Sequence, residues 1–359
     1  MEREGLSLNR YKFFLHQTRC LLPSAGQLLN LFKVGLSYFL SEVSGRSFIW
    51  GYPFVLMVEP TNLCNLHCPL CPFASQRNRL PRGKMDVEQL RRVLDQMRGQ
   101  IKFLLLWNRG EPFMNEDLAE MIREAKKRGI FVQTSTNGHF LSGPQVAEAV
   151  VESGLDELIV SVDGITQQSY SRYRKGGDVE KVFRGVETLV KAKRRKGSDT
   201  PVITFQFLVM KHNEHEIGDL KRVARRLGAD RILLKTVRVG SLRQAEEFLP
   251  PRADFSRYTV VHSTNGKSEL QLKLKRQSCR RLWYSTVVNW DGEVLPCCFD
   301  EKGQYTMGNI FTQQFGVIWR GRRYQKFRSQ LLKSRYAFPM CQNCTEGIEK
   351  LYISDIWIS

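Results

Sequence analysis

The sequence predicts an α/β protein built on a partial (β/α)6 barrel of the TIM type. Two observations predict this fold: six short apolar runs recur between residues 55 and 237, and helical patterns with one apolar face separate them. Continuous apolar strands of this kind are typical of a parallel sheet covered by helices. In such barrels, functional residues collect on the loops after the carboxyl ends of the strands.

The six strands are predicted from these runs, taken in chain order: VLMVE (55–59), FLLLW (103–107), FVQTS (131–135), LIVSVD (158–163), ITFQFLVM (203–210) and ILLKTV (232–237). Among the helices between them, one begins after the cap Asp86 and another ends before Gly228. The apolar faces of these two helices are formed by Val87, Leu90, Val93, Leu94 and Met97, and by Ile217, Leu220, Val223, Ala224 and Leu227.

Length, cysteine content and charge narrow the class of protein. The 359 residues suggest about two domains. Nine cysteines in a long chain that opens MEREGLSLNRYK, without the pattern of a signal peptide, indicate a reducing cytoplasm. A net charge of +19 favours anionic partners or membrane surfaces. The positive charge is spread over helix faces such as LVKAKRRKG and LKRVARRLG, which argues against a nucleic-acid-binding role.

Residues 1–50 are predicted to be an N-terminal amphipathic helical extension. One face of its helix carries Leu28, Phe32, Leu36, Phe39, Leu40 and Val43, and the opposite face carries Asn30, Lys33, Ser37 and Ser41. Two placements are open: peripheral contact with a membrane through residues 24–43, or packing of the apolar face across the barrel. The polar residues interrupt the ~20 apolar residues that a membrane crossing needs.

The most informative motif is EPTNLCNLHCPLCPF at residues 59–73, which places Cys64, Cys68 and Cys71 on one loop after the first strand. Structural zinc sites close with four ligands, whereas a 4Fe-4S cluster on three thiolates keeps one iron open to another ligand. A zinc knuckle or disulfide knot is the alternative, and His67 is the nearest candidate for a fourth ligand.

This CxxxCxxC spacing after an apolar strand resembles the signature of the radical S-adenosylmethionine (SAM) superfamily. The resemblance implies that SAM chelates the open iron and is cleaved reductively to a 5'-deoxyadenosyl radical. The end of the second strand resembles the family's GGEP motif, with Arg109 in place of the first glycine, so Gly110 and Glu111 are expected to bind the SAM ammonium group. The sequence does not predict the turn conformation at Arg109, because arginine tolerates fewer backbone angles than glycine.

Three more SAM contacts are implied by the resemblance: Leu70 against the adenine, Ser161 at the end of the fourth strand, and Arg174 at the SAM carboxylate. An arginine fork matches a carboxylate, although Arg174 could instead be a surface arginine at a solvated helix start. Gln206 and Lys235 could face the barrel interior or serve the core. The sequence does not select a catalytic base, for which the candidates are Asp163, His139, Lys211 and Lys235.

Beyond the core, predicted at residues 51–240, residues 241–276 are predicted to be a linker and residues 277–359 a small domain of one β-hairpin plus helix. The hairpin TVVNWDGEVLPCC turns at Asp291 and Gly292. Its cysteine pattern resembles the SPASM/twitch group in its shortened form. The resemblance implies a second 4Fe-4S cluster with Cys298 as a spare thiol and four ligands: Cys279, Cys297, Cys341 and Cys344. A four-thiolate zinc ribbon is the alternative.

The resemblance implies a radical SAM oxidoreductase. Because four protein ligands leave no open iron, the auxiliary cluster is expected to accept an electron during dehydrogenation of a sugar, polyol or amino sugar. Modification of a ribosomally made peptide ranks second, since no peptide-recognition domain is evident before residue 50. Outside the enzymes, the rival is a membrane-surface or nucleic-acid binding protein with structural metal sites. A flavodoxin or ferredoxin is the expected electron donor.

Overall fold

The computed structural model describes residues 8–71, 73–74, 80–262 and 268–358. Its strands are β1 (Val55–Val58), β2 (Phe103–Leu105), β3 (Phe131–Thr136), β4 (Glu157–Ser161), β5 (Val202–Val209), β6 (Arg231–Thr236), β7 (Tyr258–His262), β8 (Ser268–Leu272), β9 (Ser285–Val288), β10 (Glu293–Leu295), β11 (Gly308–Asn309) and β12 (Tyr352–Trp357). Its helices are α1 (Leu8–Leu21), α2 (Ala25–Ser44), α3 (Val87–Gln96), α4 (Leu118–Lys127), α5 (Pro144–Glu152), α6 (Gln167–Tyr173), α7 (Val179–Lys196), α8 (Ile217–Leu227), α9 (Leu242–Phe248), α10 (Arg281–Tyr284), α11 (Phe315–Arg320), α12 (Arg322–Lys333) and α13 (Pro339–Gln342).

The first six strands form the predicted parallel sheet. They pair in chain order from β1 to β6, each parallel to the next. Leu56, Leu104, Val132, Leu158 and Phe205 are fully buried, one from each of the first five strands. Strands β1 and β6 do not pair with each other, so the barrel is not closed and the α/β partial barrel predicted from the sequence is confirmed.

Local signals set the limits of the barrel helices. Asp86 and Gln89 form a capping box at the start of α3. Gly228 ends α8 with a φ of +78°, a left-handed conformation that glycine adopts without a steric penalty. Both predicted helix limits are confirmed, because caps are encoded within a few residues of sequence.

The C-terminal part of the chain extends the barrel sheet on both sides. Strand β9 lies parallel to β1, and β10 and β11 continue outwards in antiparallel fashion. On the far side β12 pairs antiparallel with β6. These added strands cover edges that would otherwise expose unpaired backbone groups. The boundaries predicted at residues 240 and 277 stay a prediction, since one sheet runs through both predicted domains.

The predicted linker at residues 241–276 contains regular structure. It holds α9 and a two-stranded antiparallel sheet of β7 and β8, while residues 263–267 lie outside the described residues. Arg257 donates from Nε to Thr236 Oγ1 at 2.9 Å, and the Tyr258 hydroxyl donates to Val239 O at 3.1 Å. These contacts attach the segment to the carboxyl end of β6, next to the barrel mouth.

The two N-terminal helices lie at the start of the strands, and residues 1–7 of the predicted extension fall outside the described residues. Phe13 of α1 packs on Phe131 and Trp357. Helix α2 buries Asn30, Val34, Ser37 and Ser41, whereas the exposed residues include Leu28, Leu29, Phe32, Phe39 and Val43. The alternative in which the predicted apolar face packs across the barrel is therefore wrong, because the buried side of α2 carries Asn30, Ser37 and Ser41 together with Val34. Within the described part of the chain, no helix is both long and apolar enough to cross a membrane.

Candidate active site and metal centres

The loop of Cys64, Cys68 and Cys71 directly follows β1 and lines one end of a cavity of about 610 Å³. The Leu66 N–H points at Cys64 Sγ from 3.5 Å, as donors to sulfur ligands commonly do. Burial raises the pKa of the Cys64 thiol to about 11. The thiol is therefore neutral at pH 7 until a metal displaces its proton.

Gly110 brings the turn after β2 against the cysteine loop. Its φ is +75°, and a Cβ there would lie 2.5 Å from Thr61 O and 2.6 Å from Leu63 O. The next residue donates its N–H to Leu63 O at 2.6 Å. A glycine at this position thus permits the close backbone approach that joins the two loops.

Arg109 takes an ordinary backbone conformation and a buried partner. Among the described residues other than glycine, Arg98 has a positive φ and Arg109 does not. The Arg109 guanidinium donates to Glu59 from Nε at 2.6 Å and from Nη2 at 3.1 Å. The turn conformation left open by the sequence is thus compatible with arginine, whose side chain braces the end of β1.

Glu111 is 2% exposed and held by three donors: Thr136 Oγ1 at 2.7 Å, Asn137 N–H at 2.7 Å and Phe113 N–H at 3.2 Å. Burial raises the pKa of Glu111 to about 6, although these donors act in the opposite direction. An ionised carboxylate offers about four acceptor positions, so one remains for a ligand cation. Its predicted contact with the SAM ammonium group stays a prediction.

Arg174 lies beside the cysteine loop and not in solvent. Its side chain is 14% exposed, and its Nε donates to Asp163 Oδ2 at 2.6 Å. Asp163 is fully buried and also accepts the Leu208 N–H at 2.7 Å. Nη1 of Arg174 donates to Cys68 Sγ at 3.8 Å. The surface-arginine alternative is wrong, and a carboxylate ligand would meet the Nη1 edge because Asp163 occupies the Nε edge.

The remaining predicted core residues share the same cavity. Ser161 closes β4 with 6% exposure, and the half-buried Leu70 precedes Cys71 on the loop. The cavity lining thus includes every predicted SAM-binding residue together with the three cysteines. Their convergence follows from topology, because the carboxyl ends of parallel strands meet at one edge of the sheet.

The auxiliary cysteines come from three separate segments of the chain, with Cys341 and Cys344 on the same one. Cys341 and Cys344 are buried, and Cys279 lies just before α10. Burial and the neighbouring Cys344 and Cys279 raise the pKa of Cys341 to about 12. Burial and then Cys344 raise the pKa of Cys279 to about 11. The hydrogen bond to Cys298 and burial raise the pKa of Cys297, and Cys344 adds to the shift.

Arg335 supports this second site, and the sequence analysis missed it. The guanidinium is 4% exposed and donates to Cys341 O at 3.1 and 3.2 Å and to Cys344 O at 3.3 Å. It further donates to Glu346 O at 3.0 Å. A single arginine six residues before a CxxC pair has no distinctive local pattern, so only the folded loop reveals its role.

Cys298 lines the cavity, and its thiol is also hydrogen-bonded to the thiol of Cys297. It packs beside Met57 and Trp107, and Arg281 Nη1 lies 3.5 Å from its sulfur. Among the described residues that line the cavity, Cys298 is present and Cys297 is not. This difference favours Cys297 as the ligand, and the choice between the two stays a prediction.

Comparison with known proteins agrees with this geometry. A family model described as the radical SAM superfamily matches residues 58–224, which contain the three-cysteine loop and strands β2 to β5. The chain belongs to the radical SAM superfamily. A second family model, described as an iron-sulfur cluster-binding domain, the SPASM domain, matches residues 279–345 of this radical SAM protein.

Curated relatives of the radical SAM protein act in different pathways. One is a tungsten-containing aldehyde ferredoxin oxidoreductase cofactor-modifying protein of Pyrococcus furiosus, 27% identical over 81% of this chain and 86% of the relative. Another is a PqqA peptide cyclase of Gluconobacter oxydans, 27% identical over 68% of this chain and 70% of the relative. These relatives support the family and leave the substrate open.

Solved structures of similar fold include BtrN in complex with AdoMet and 2-DOIA, with a TM-score of 0.51 and 21% identity. That match covers 85% of this chain and 98% of BtrN. Streptococcus suis SuiB bound to S-adenosylmethionine gives a TM-score of 0.59 at 14% identity, covering 95% of this chain and 84% of SuiB. At these identities the likeness shows the fold alone.

The cofactors of this radical SAM protein are 4Fe-4S clusters and SAM, and the residues present fit them. Three thiols open onto a cavity large enough for a nucleoside ligand, which suits a cluster that keeps one iron open. The second group of thiols lies behind the cavity wall, which suits a cluster that needs no exogenous ligand.

Of the four candidate bases in the radical SAM protein, Lys235 lines the cavity. The others have different partners: Asp163 pairs with Arg174, His139 accepts the Asp178 N–H at 2.8 Å, and Lys211 donates to Glu246 O at 3.3 Å. Lys235 and Gln206 both face the barrel interior, where Lys235 Nζ lies 3.4 Å from Gln206 Oε1.

The charges around Lys235 favour its neutral form. Burial lowers its pKa to about 8, and the nearby Arg257 and Arg281 cations act in the same direction. Cys298 and Asp163 oppose the shift. Among the described residues, no carboxylate lies within ion-pair distance of Lys235. A lysine in this environment can accept a proton near neutral pH.

Proposed function

We propose that the protein is a radical SAM oxidoreductase that dehydrogenates a small polar metabolite such as a sugar, polyol or amino sugar. In each turnover the substrate would lose one hydrogen atom, one proton and one electron, so that a carbinol carbon becomes a carbonyl. When bound, the cofactors supply a 5'-deoxyadenosyl radical as hydrogen-atom acceptor and an auxiliary 4Fe-4S cluster as electron acceptor.

One observation carries the proposal: a single cavity extends from the three core cysteines to residues that neighbour the auxiliary cysteines in the chain. The core cysteines lie at one end, and its wall includes Arg281, Cys298 and Thr345 of the auxiliary region. Thr345 directly follows Cys344, so a substrate in the cavity would lie between the two cluster sites. Short separations from both sites are what a hydrogen-atom transfer followed by an electron transfer requires.

Lys235 is proposed as the proton acceptor in this cavity. Its ammonium lies over the Tyr352 ring at 5.9 Å and next to Gln206, both of which line the barrel lumen. A neutral Lys235 would take the hydroxyl proton from the substrate carbon that has lost its hydrogen atom. An external one-electron donor, a flavodoxin or ferredoxin, is proposed to start each turnover.

Modification of a ribosomally made peptide is the second candidate. It is supported by relatives such as the PqqA peptide cyclase and by the fold similarity to SuiB bound to its precursor peptide SuiA, at a TM-score of 0.60. A peptide substrate would have to enter the cavity with one side chain, whereas a volume of about 610 Å³ suits a whole small metabolite.

The test is turnover by the anaerobically reconstituted protein with reductant, SAM and a panel of sugars, polyols and amino sugars. The expected result is a product two mass units lighter than its substrate, formed with 5'-deoxyadenosine. A substrate deuterated at the reacting carbon should transfer its deuterium to 5'-deoxyadenosine. The matched control is Cys64→Ala, which should form neither product.

Formation of 5'-deoxyadenosine without oxidation of any panel member, together with turnover of a peptide, would exclude the dehydrogenase and favour the maturase. Binding of substrates without any SAM cleavage by cluster-replete protein would exclude both enzymes.

A further inference from the structure

We propose that the outer face of α2 docks the protein on an anionic membrane surface. This apolar face consists of Leu28, Leu29, Phe32, Phe39 and Val43. The inference goes beyond the catalytic proposal, because it concerns where the enzyme works and not which bond it breaks.

The apolar face of α2 points away from the protein, whereas a surface helix of a soluble domain usually turns its apolar face towards the core. Phe32 is 66% exposed and Val43 is 72% exposed, whereas Asn30 and Ser37 on the other side are buried. A surface helix normally turns its apolar stripe to the core and its polar residues to water. An exposed, contiguous apolar surface of this kind marks an interaction site.

Specific hydrogen bonds hold α2 in this orientation. Asn30 donates from Nδ2 to Tyr52 O at 3.0 Å and accepts the Tyr52 N–H at 2.8 Å. Ser37 Oγ accepts the Trp50 N–H at 3.0 Å, and Ser41 Oγ accepts the Phe48 N–H at 2.9 Å. Rotating the helix to bury its apolar face would leave these buried groups without partners, which is costly. The polar side is therefore built to pack inwards.

Exposed apolar side chains also occur elsewhere in the N-terminal region. Tyr11, Phe14 and Leu22 of the α1 region and Trp50 after α2 are also exposed. Most of the large apolar side chains that are exposed among the described residues lie before residue 51. Tyrosine and tryptophan are favoured at the membrane interface, where an apolar ring and a polar tip meet both phases.

The positive charge of the N-terminal region favours an anionic bilayer as the binding partner of this apolar face. Arg10, Arg19, Lys33 and Arg46 accompany the two helices, against one acidic residue, Glu42, whereas Lys12 pairs with Asp199. The whole chain carries +19. Basic residues beside an apolar helix face are attracted to anionic lipids. A second copy of this chain would bring the same positive charge against the surface, which opposes self-association.

Sedimentation with vesicles tests the proposal on the reconstituted full-length protein. Vesicles of phosphatidylcholine alone are compared with vesicles that also contain phosphatidylglycerol. The parent should bind the anionic vesicles, and added salt should weaken the binding. The double variant Phe32→Gln/Phe39→Gln should bind at least about tenfold less, because it removes two inserted rings.

The matched control is Val317→Gln, since Val317 is 66% exposed on α11, outside the N-terminal helices. It should bind like the parent. Both variants should keep SAM cleavage in solution, which shows that they fold. The proposal is overturned if the parent does not bind anionic vesicles or if the double variant binds equally well. It is also overturned if the lipid-free parent is a dimer that this double variant converts to a monomer.

Discussion

The two cysteine sites differ in how the chain builds them. Cys64, Cys68 and Cys71 lie on one loop and open onto the cavity. The auxiliary cysteines come from three segments of the chain, and Arg335 covers two of them from behind. One site depends on local spacing and leaves room for an exogenous ligand. The auxiliary site depends on tertiary assembly and leaves no room for such a ligand.

This difference suggests a division of labour. An open site can bind and activate a small molecule, while a closed site can exchange electrons without binding one. The cavity lies between them, with Lys235 on its wall. If the two sites act separately, loss of a cysteine from one site should leave the chemistry of the other intact.

The largest expected effect is on SAM cleavage, which should be lost with a core cysteine and kept without an auxiliary cysteine. Cys64→Ala should abolish 5'-deoxyadenosine formation, because the open site loses a ligand. Cys344→Ala should retain substrate-free cleavage, because the core loop is untouched. Chromatography of 5'-deoxyadenosine measures both, and circular dichroism checks folding. Equal loss in two folded variants would show that the sites depend on each other.

Lys235→Met should lower substrate turnover by about a hundredfold or more, the usual contribution of a general base. The parent rate should rise with pH up to about 8 and then level off, because the neutral lysine is the active form and the pKa of Lys235 is lowered to about 8. The variant should lose this inflection and keep substrate-free SAM cleavage.

A matched control for Lys235 is Lys211→Met, outside the cavity lining, which should turn over like the parent. An unchanged inflection near pH 8 in Lys235→Met would assign the proton transfer to another group.

Arg174→Ala should weaken SAM binding about tenfold, since loss of a charge-assisted hydrogen bond costs about 1.5–3 kcal/mol. Glu111→Ala should weaken it at least as much, because three buried donors lose their acceptor as well. Equilibrium binding to the reconstituted protein measures both. Unchanged affinity in Arg174→Ala would remove that residue from the SAM site and leave the radical mechanism standing.

The smallest expected effect is a change in the iron content of the reconstituted protein. The parent should hold about eight iron atoms per chain, as two 4Fe-4S clusters. Cys297→Ser should lose about half of this iron, whereas Cys298→Ser should keep both clusters. Iron analysis and absorption spectra of the reconstituted variants decide the outcome. The reverse result would make Cys298 the ligand, and tightly bound zinc in the parent would indicate a zinc ribbon.

Sequence alone determined the features that depend on local signals. The apolar runs of β1 to β6, the Asp86 cap and the Gly228 helix end are each encoded within a few residues. The CxxxCxxC loop is equally local, so the cysteines that line the cavity could be named from the sequence, while their role as cluster ligands stays a prediction. The convergence of Glu111, Ser161 and Arg174 followed from parallel-strand topology.

Only the tertiary structure decided features that depend on distant partners. Asp163 takes the Nε edge of Arg174, and Arg335 reaches the carbonyls of the auxiliary cysteines. The joining of β9 to β1 unites two predicted domains in one sheet. The sequence showed that α2 has an apolar and a polar face. Which face packs inwards depends on the backbone N–H and C=O groups of Tyr52, which form hydrogen bonds with the Asn30 side chain. Helical periodicity defines the two faces, whereas long-range hydrogen bonds select which one is buried.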